Sequence, residues 1–150
     1  MRHLAMFAVL AAACAPSGGS RSPQPASAVK DMGVQAQGLT GGTWEWIGTQ
    51  TPVELIRPDD PAKYTLRLGA DGKVTGKADC NSLNGSYTTS SERQLSFGPL
   101  ATTRMLCPQP SRGEWYVKSL GYVRSYFFTG DTLRMDMMAD GGTFAFRRAR

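Results

Sequence analysis

The sequence predicts an α+β fold, mostly antiparallel β, in which about eight short strands close into a small barrel with one inserted helix. Three observations predict it. Apolar and polar residues alternate along several short runs, of which Tyr64 to Leu68 is the clearest. Turn signals such as Ala70-Asp71-Gly72-Lys73 separate these runs, because Asp-Gly accepts the positive φ of a tight hairpin. One stretch, near Ser111, has a helical pattern instead.

The first half of the folded part is predicted to be strands. In Thr43-Trp44-Glu45-Trp46-Ile47, alternation places both indole rings on one face. Small residues on the strand after the Asp-Gly turn, at Gly76 and Ala78, predict the close approach of another element. The predicted strands are, in order, 43–47, 53–56, 64–68, 74–78, 85–88 and 94–97.

The second half is predicted to be one helix and three strands. Ser111 is a candidate helix cap with Glu114 three residues on, and Gly121 would end the helix. Its predicted apolar stripe consists of Trp115, Leu120 and either Val117 or Lys118. The strands that follow are predicted at 122–129, 132–138 and 143–147.

The N-terminal region has the composition of a secretion signal. Leu4 to Ala13 is an apolar run of about ten residues, too short to span a bilayer, which needs about twenty. Small residues then precede Cys14, as in a bacterial lipoprotein signal, although Leu10 lies one place further back than is usual. We expect a signal peptide over 1–13 and a lipid on Cys14. The alternative is ordinary cleavage after Ala13, which would leave a soluble periplasmic protein with an unpaired thiol.

The next stretch has a different composition. Residues 15–40 are rich in Ser, Pro, Gly, Gln and Ala and contain no aromatic residue. Such a segment buries too little apolar surface to offset its ordering entropy, so we expect a lipid-anchored disordered tether over 14–40 with a reach of roughly 25–30 Å. Ala15, in place of Asp, favours sorting to the outer membrane in bacterial lipoproteins. The remaining residues, 41–150, form the predicted domain, facing the periplasm.

The composition of the predicted mature chain excludes several chemistries. The only histidine, His3, lies in the predicted signal, which removes imidazole general bases, Ser-His and Cys-His pairs and histidine metal ligands. Asp59 and Asp60, with Glu54 nearby, are interpreted as solvated carboxylates rather than as a cation site. We therefore predict no metal, no cofactor and no enzymatic activity. An enzyme would have to use paired carboxylates, and no spacing here indicates such a pair.

Two cysteines remain in the predicted domain, Cys80 and Cys107, and they are 27 residues apart. In an oxidising compartment this predicts a disulfide, which would stabilise so small a domain by roughly 3–4 kcal/mol. The alternative is a redox-active pair, although the C-x-x-C spacing of such pairs is missing.

Polar residues around these cysteines form a candidate site. Asn81 and Asn84 flank a predicted tight connection whose backbone groups their amides can satisfy, and the Tyr87 hydroxyl can bond back to that loop. Arg104 could pair with Asp79, contact an anionic ligand or be exposed. We interpret the cluster as structural, with a polar ligand site as the alternative.

Two further groups have open interpretations. Met135, Met137 and Met138 are predicted to fill the barrel with four phenylalanines, or else to line a lipid-sized cavity. The last four residues, 147–150, carry three arginines, which we interpret as a solvated end or as a weak contact with anionic lipid. The chain carries a formal charge of +5, and we expect no nucleic-acid partner.

Several motifs together identify a resemblance. Asp79 to Tyr87 reads D-C-N-S-L-N-G-S-Y, Leu95 to Pro108 reads L-S-F-G-P-L-A-T-T-R-M-L-C-P, and Val123 to Leu133 reads V-R-S-Y-F-F-T-G-D-T-L. With the T-W-E-W of the first strand, they closely resemble the META domain family (HslJ-like) over about residues 41–147. The resemblance implies an incomplete β-barrel carrying a helix, in secreted or outer-membrane proteins associated with stress responses. It implies no established molecular activity.

The predicted function follows from the anchor, the barrel and the missing catalytic groups. We expect a monomeric, non-enzymatic envelope lipoprotein domain that binds a protein partner or a hydrophobic ligand, with a link to stress tolerance. The alternative is an inhibitor of a secreted hydrolase such as lysozyme, acting through an exposed loop over residues 50–63 in which Asp59 and Asp60 meet a basic enzyme.

Overall fold

The described part of the chain forms a nearly closed barrel of eight antiparallel strands with one seam and a single inserted helix. The structure is a computed structural model, and it describes residues 38–90 and 92–150. The predicted signal peptide, Cys14 and most of the predicted tether lie outside the described residues. The predicted fold class is confirmed.

Most strands lie where the alternation predicts them, but the strand Asn81–Thr89 begins four residues earlier than predicted and the strand Ala101–Thr102 was not predicted. The strands are β1 (Thr43–Gln50), β2 (Leu55–Ile56), β3 (Tyr64–Leu68), β4 (Lys73–Ala78), β5 (Asn81–Thr89), β6 (Leu95–Phe97), β7 (Ala101–Thr102), β8 (Val123–Thr129), β9 (Thr132–Met137) and β10 (Thr143–Arg148). A short 3-10 helix spans Pro61–Lys63, and the helix α1 spans Gly113–Leu120.

Strand order explains the seam. The hydrogen-bonded path runs β6-β5-β4-β3-β1-β10-β9-β8, while β2 pairs with β1 and β7 pairs with β5. Between the two end strands of this path, an isolated bridge joins Gln94 to Ser125, and the Tyr126 amide donates to the Arg93 carbonyl at 2.9 Å. The two edges therefore meet over one short stretch without forming a full ladder, and the barrel is incomplete.

Antiparallel strands place the connections alternately at two ends. The entry end, where the described chain begins at Gly38, also holds the loops 69–72, 89–94 and 130–131 and the C-terminal residues after β10. The opposite end, here called the helix end, holds the loops 51–63, 79–80, 103–112, 121–122 and 138–142. The helix α1 runs between two of these helix-end loops.

Aromatic rings fill much of the barrel interior. Trp44 and Trp46 are both fully buried, as their alternation predicts. The Trp46 ring stacks on Tyr116 with centroids 5.3 Å apart and on Trp115 at 5.5 Å, and it meets the Tyr64 ring edge-on at 5.3 Å. Helix α1 therefore docks by inserting its aromatic side chains among those of the strands.

Of the methionines and phenylalanines predicted to fill the barrel, some are buried and others are exposed. Met135, Phe144 and Phe146 are fully buried, so this part of the interpretation as barrel core is confirmed. Met138 is 44% exposed, because it follows the end of β9 and lies in a helix-end loop. The prediction that it helps to fill the barrel is wrong.

The predicted details of the helix differ from the structure. No side chain caps its N-terminus: Arg112 holds that position, and Ser111 instead accepts a hydrogen bond from the Gly113 amide at 3.3 Å. The buried residues of the helix are Gly113, Tyr116, Ser119 and Leu120, while Trp115 and Val117 are only partly buried. The predicted apolar stripe did not include Tyr116, because only the position of the strands shows which face of the helix is covered.

At the entry end, residues near the predicted domain boundary belong to the core. Leu39 is 1% exposed, and its carbonyl accepts a hydrogen bond from the Trp44 indole at 2.9 Å. The Arg148 guanidinium lies over the Trp44 ring, 4.6 Å from its centroid, and donates to the Gly38 carbonyl at 2.6 Å. The packed domain thus includes residues that composition alone places in the tether.

Candidate functional site

A disulfide joins Cys80 to Cys107, with their Cα atoms 5.6 Å apart. Cys80 lies in the turn between β4 and β5, and Cys107 lies in the loop that leads to α1. The bridge ties the segment 103–107, here called the braced loop, to the barrel at the helix end. The predicted disulfide is confirmed.

The side chain of Asn81 holds the braced loop in the manner of a neighbouring strand. Its Oδ1 accepts from the Met105 amide at 2.7 Å and from the Thr103 hydroxyl at 2.9 Å. Its Nδ2 donates to the Met105 carbonyl at 3.1 Å and to Cys107 Sγ at 3.3 Å. The amide is fully used within the protein, so its role here is structural.

Ser82 adds a second pair of contacts to the same segment. The Thr103 amide donates to the Ser82 carbonyl at 3.1 Å, and the Ser82 amide donates to the Thr103 hydroxyl at 3.0 Å. Together with the disulfide and Asn81, these bonds fix the main chain of the braced loop.

The predicted tight connection lies earlier than expected. Strand β5 begins at Asn81, and the turn is made by Asp79 and Cys80, where Asp79 has a φ of 62°. Asn84 is an exposed residue of β5, opposite Thr75 on one side and Ala101 on the other. The predicted Asx-type turn flanked by Asn81 and Asn84 is therefore wrong, because both asparagines belong to a strand whose ladder satisfies their main chain.

Asp79 and Arg104 do not pair. Asp79 is 7% exposed, and its Oδ1 lies 4.0 Å from Lys63 Nζ, while its Oδ2 has no hydrogen-bond partner. Arg104 is exposed and forms no ion pair with any described residue. The predicted Asp79–Arg104 ion pair is wrong, since the ammonium of Lys63 takes the place of the guanidinium.

Tyr87 is separated from the other members of the predicted cluster. Its hydroxyl donates to the Gly69 carbonyl at 2.7 Å, in the Asp-Gly turn at the entry end. Burial raises the pKa of this phenol. The expected bond back to the Asn81 loop is therefore replaced by one at the opposite end of β5.

A surface groove of about 550 Å³ lies beside the braced loop. Its lining comes from β4 and β5 (Ala78, Asn81), from the segment at and after β7 (Thr102, Thr103, Arg104) and from α1 (Gly113, Glu114, Val117, Lys118). The groove is the helix-end part of the seam, where α1 rather than a strand faces the edge formed by β7. Of the predicted site residues, Asn81 and Arg104 meet here.

The exposed large apolar side chains all lie at one end of the described structure. They are Val53 (89% exposed), Leu55 (46%), Met105 (58%), Leu106 (98%), Tyr122 (46%) and Met138 (44%). Each belongs to the helix end. Sequence reasoning did not identify Met105 and Leu106 as exposed; the available signal was an apolar pair beside a cysteine, outside any alternating run.

The acidic residues of the loop 50–63 have partners within the loop. Asp59 accepts from Lys63 Nζ at 2.8 Å, and this hydrogen bond lowers the pKa of the Asp59 carboxyl. Asp60 caps the 3-10 helix by accepting from the Ala62 amide at 3.0 Å. Across residues 38–90 and 92–150, no group of three or more His, Cys, Asp or Glu side chains is placed to hold a metal ion. Nor does any helix in this part of the chain have the length and apolar character needed to cross a membrane.

The fold and site define a small antiparallel β-barrel domain with one seam, a single inserted helix and a disulfide bracing one rim. A model of the META domain family matches residues 37–150. The chain therefore belongs to the META domain family, as its motifs indicate.

Solved structures share the fold. The NMR structure of a protein from Burkholderia xenovorans is 23% identical with a TM-score of 0.62, and the match covers 92% of this chain and 99% of that one. The crystal structure of a DUF4847 family protein from Bacteroides vulgatus is 14% identical with a TM-score of 0.54, covering 73% and 93% of the two chains. A search of curated proteins found no match.

Proposed function

We propose that this protein is a non-enzymatic, lipid-anchored domain of the bacterial envelope that binds a protein partner through its helix end. The observation that carries the proposal is the distribution of exposed apolar surface. All six exposed large apolar side chains of the described residues lie at the helix end, whereas the described chain begins at the opposite end.

This distribution suits a tethered binding module. Large exposed apolar side chains gathered in one region are typical of interaction sites, because each costs free energy when left in water. With the tether joined at the entry end, the helix end would face away from the anchoring membrane. A tether of about 25 residues would leave the domain free to meet a partner within roughly 25–30 Å of the surface.

A protein partner fits better than a hydrophobic ligand inside the barrel. The interior holds the rings of Trp44, Trp46, Tyr116, Phe144 and Phe146, all fully buried, where a lipid chain would have to lie. Contact through the surface needs no rearrangement of this core. Binding by surface contact is therefore the form of the predicted function that we propose.

The envelope location is proposed from the N-terminal sequence. A basic start, an apolar run and small residues precede Cys14, and the confirmed disulfide suits an oxidising compartment. Cys14→Ala should move the protein from the membrane fraction to the soluble fraction of cells expressing the full chain. Cys80→Ala in combination with Cys107→Ala is the matched control, because it replaces cysteines without touching the anchor. Unchanged sedimentation of the Cys14 variant with membranes would contradict the anchor.

The binding surface can be tested by cross-linking in living cells. A photo-reactive amino acid would replace Leu106, Val53 or Met138 at the helix end, and Glu92 or Asp131 at the entry end as exposed controls. We expect one defined cross-linked protein, identified by mass spectrometry, from helix-end positions only. Equal cross-linking from both ends, or none from the helix end, would overturn the proposal.

The alternative of a hydrolase inhibitor stays a prediction. Its expected contact, the Asp59-Asp60 pair, is engaged by Lys63 and by the 3-10 helix. The tip of the same loop instead presents Val53, which is 89% exposed. An inhibition assay with lysozyme, comparing the wild type with Val53→Ser, separates this alternative from the binding module. The link to stress tolerance likewise stays a prediction from the family resemblance.

A further inference from the structure

We propose that the groove between the braced loop and α1 binds an extended peptide segment with an acidic side chain, which adds as a strand to the free edge at Thr102–Arg104. This inference rests on the proposed function and specifies how the partner is recognised. Three features carry it: a strand edge without a neighbour, unpaired cations beside that edge, and a main chain fixed before binding.

The edge follows from the register of β7 on β5. Thr102 lies opposite Leu83, and the Thr103 amide donates to the Ser82 carbonyl at 3.1 Å. In an antiparallel ladder, residues alternate between bonding toward the partner strand and bonding away from it. Because Thr103 bonds toward β5, the N–H and C=O of Thr102 and Arg104 are directed to the other side, where the groove lies.

No described strand occupies that side. The strand that approaches β6 across the seam is β8, and its contact is the bridge between Gln94, just before β6, and Ser125, near the start of β8. At β7 the facing element is α1, which offers side chains and no main-chain partner. An open edge of this kind is a template for strand addition, in which main-chain hydrogen bonds supply affinity.

The charges of the groove define the partner's chemistry. Arg104 and Lys118 both line the groove, and neither forms an ion pair with a described residue. Glu114 supplies the carboxylate among the lining residues, and its negative charge offsets one of these two positive charges. The net excess of one positive charge, with two cations free to bond, favours an acidic side chain on the peptide.

Apolar surface supplies the rest of the recognition. Val117 lies in the α1 wall, and Leu106, 98% exposed, follows directly after the edge. An extended peptide presents alternate side chains to opposite faces, so one side chain can meet the groove while the next meets solvent or Leu106. The volume, about 550 Å³, lies within the range of about 300–1,000 Å³ that is typical of ligand sites.

The edge is held in place without the peptide. The Cys80–Cys107 disulfide and the paired bonds from Asn81 to Met105 fix the chain after Arg104, and the bond from the Thr103 amide to the Ser82 carbonyl fixes the chain before it. Fixing the receptor beforehand lowers the entropy lost on binding, which favours recognition of a flexible segment.

Selection from a phage-displayed library of random nine-residue peptides tests the proposal. The target is the protein purified in detergent from membranes of cells expressing the full chain. We expect selected peptides to be enriched in Asp or Glu among β-branched and aromatic residues. Arg104→Glu should weaken their binding about tenfold or more, because it places like charges together and removes a charge-assisted hydrogen bond. Arg67→Glu, an equal charge change at an exposed site on β3, should leave binding unchanged.

Amide hydrogen exchange measured by NMR tests the strand addition directly. A selected peptide should slow the exchange of the Thr102 and Arg104 amides in the wild-type protein. Enrichment of no peptide, selection of peptides without acidic residues, equal binding to Arg104→Glu, or binding without protection of these amides would each overturn the inference. Binding of vesicles with anionic lipid that depends on Arg104, with no peptide bound, would assign the groove to a lipid surface and would also overturn it.

The two proposals can fail separately. If helix-end cross-linking in cells identifies a partner but no peptide is selected, or a selected peptide leaves the amides unprotected, the edge is not the contact and the proposed function stands. If the cross-linking itself fails, the proposed function falls.

Discussion

Asn81 pairs with both main-chain groups of Met105 through one side-chain amide, accepting from the N–H at 2.7 Å and donating to the C=O at 3.1 Å. This is the pattern that a backbone amide of an adjacent strand would make. The Asn81 side chain thereby holds the braced loop beyond the end of β7, at the point where β5 begins. The exposed side chains of Met105 and Leu106 are presented from this fixed main chain.

Removing the Asn81 amide should loosen the braced loop. Asn81→Ala deletes both bonds to Met105, each worth about 1 kcal/mol, so we expect a loss of roughly 1–2 kcal/mol in the free energy of unfolding. The Met105 amide should exchange faster with solvent, as measured by NMR. Asn84→Ala is the matched control on the same strand, because Asn84 is exposed and its side chain has no hydrogen bond in the described part of the structure. Equal effects of the two substitutions would contradict the role given to Asn81.

Breaking the disulfide should cost more than losing Asn81. The bridge closes a loop of 27 residues, and the chain-entropy model gives roughly 3–4 kcal/mol of stabilisation. Urea unfolding of the Cys80→Ala, Cys107→Ala double variant should show this loss. Adding a reducing agent should destabilise the wild type by a similar amount and leave the double variant unchanged. Stability of the wild type that is insensitive to reductant would contradict a stabilising bridge.

Tyr116 and Tyr64 should respond in opposite directions to removal of the hydroxyl. The Tyr116 hydroxyl is buried without a hydrogen-bond partner, whereas the Tyr64 hydroxyl accepts from the Arg112 amide at 3.0 Å. A buried polar group without a partner costs about 1–3 kcal/mol, so Tyr116→Phe should stabilise the protein by about 1 kcal/mol. Tyr64→Phe should destabilise it by a similar amount. Thermal unfolding of both variants measures the change in stability. A destabilised Tyr116→Phe variant would contradict the prediction.

Alkaline pH should destabilise the folded protein because it favours ionisation of Tyr116. Burial raises the pKa of Tyr116 well above its ordinary value of 10.0, because the ionised phenol loses its hydration. The folded state therefore holds this proton more tightly than the unfolded chain. Its contribution to stability is complete below about pH 10, the unfolded value, and declines as the pH rises above it. Denaturant titrations from pH 9 upward should show a smaller decline for Tyr116→Phe than for the wild type.

At position 79, a substitution that removes the charge should be tolerated, whereas one that does not suit the left-handed backbone should not. Its carboxylate is buried, with Lys63 at 4.0 Å and one oxygen without a partner, while its φ is 62°. Asn accepts this left-handed conformation, so Asp79→Asn should be neutral or stabilise the protein by up to about 1 kcal/mol. Asp79→Ala should cost about 1–2 kcal/mol, because a left-handed backbone is strained for alanine. A strong loss in Asp79→Asn would show that the ion pair with Lys63 contributes more than its geometry indicates.

Local patterns in the sequence were sufficient to predict most of the strands. The alternation in Thr43–Ile47 predicts two buried indoles, and the Asp71-Gly72 turn joins β3 to β4 as expected, with Gly72 at a φ of 76°. These features depend on neighbours one or two positions apart, whose geometry the chain itself imposes. The disulfide was predicted from the number of cysteines, since only two remain in the domain.

The site could be predicted only in part. The motif around Cys80 and Cys107 indicated where the braced loop would lie, yet the partner of Arg104 and the turn at Asn81 were predicted wrongly. The ion-pair error concerns groups far apart in sequence, Lys63 and Asp79, whose distance depends on the register of β3 on β4. The turn error concerns where β5 begins, which its pairing with β4 decides. The spacing of residues along the chain does not reveal how the strands are aligned with one another.

The sequence by itself determined most of the strands, the inserted helix, the cysteine pairing and the family, because periodicity, turn residues and motifs act over short stretches of chain. Tertiary structure alone decided which rim carries the exposed apolar residues, which face of α1 is buried and where the seam leaves a strand edge open. Those outcomes depend on how the barrel closes. Closure brings residues such as Tyr116 and Trp46 into contact across the fold and leaves Leu106 in solvent. No local sequence pattern distinguishes an apolar residue that will be buried in this way from one that will be exposed.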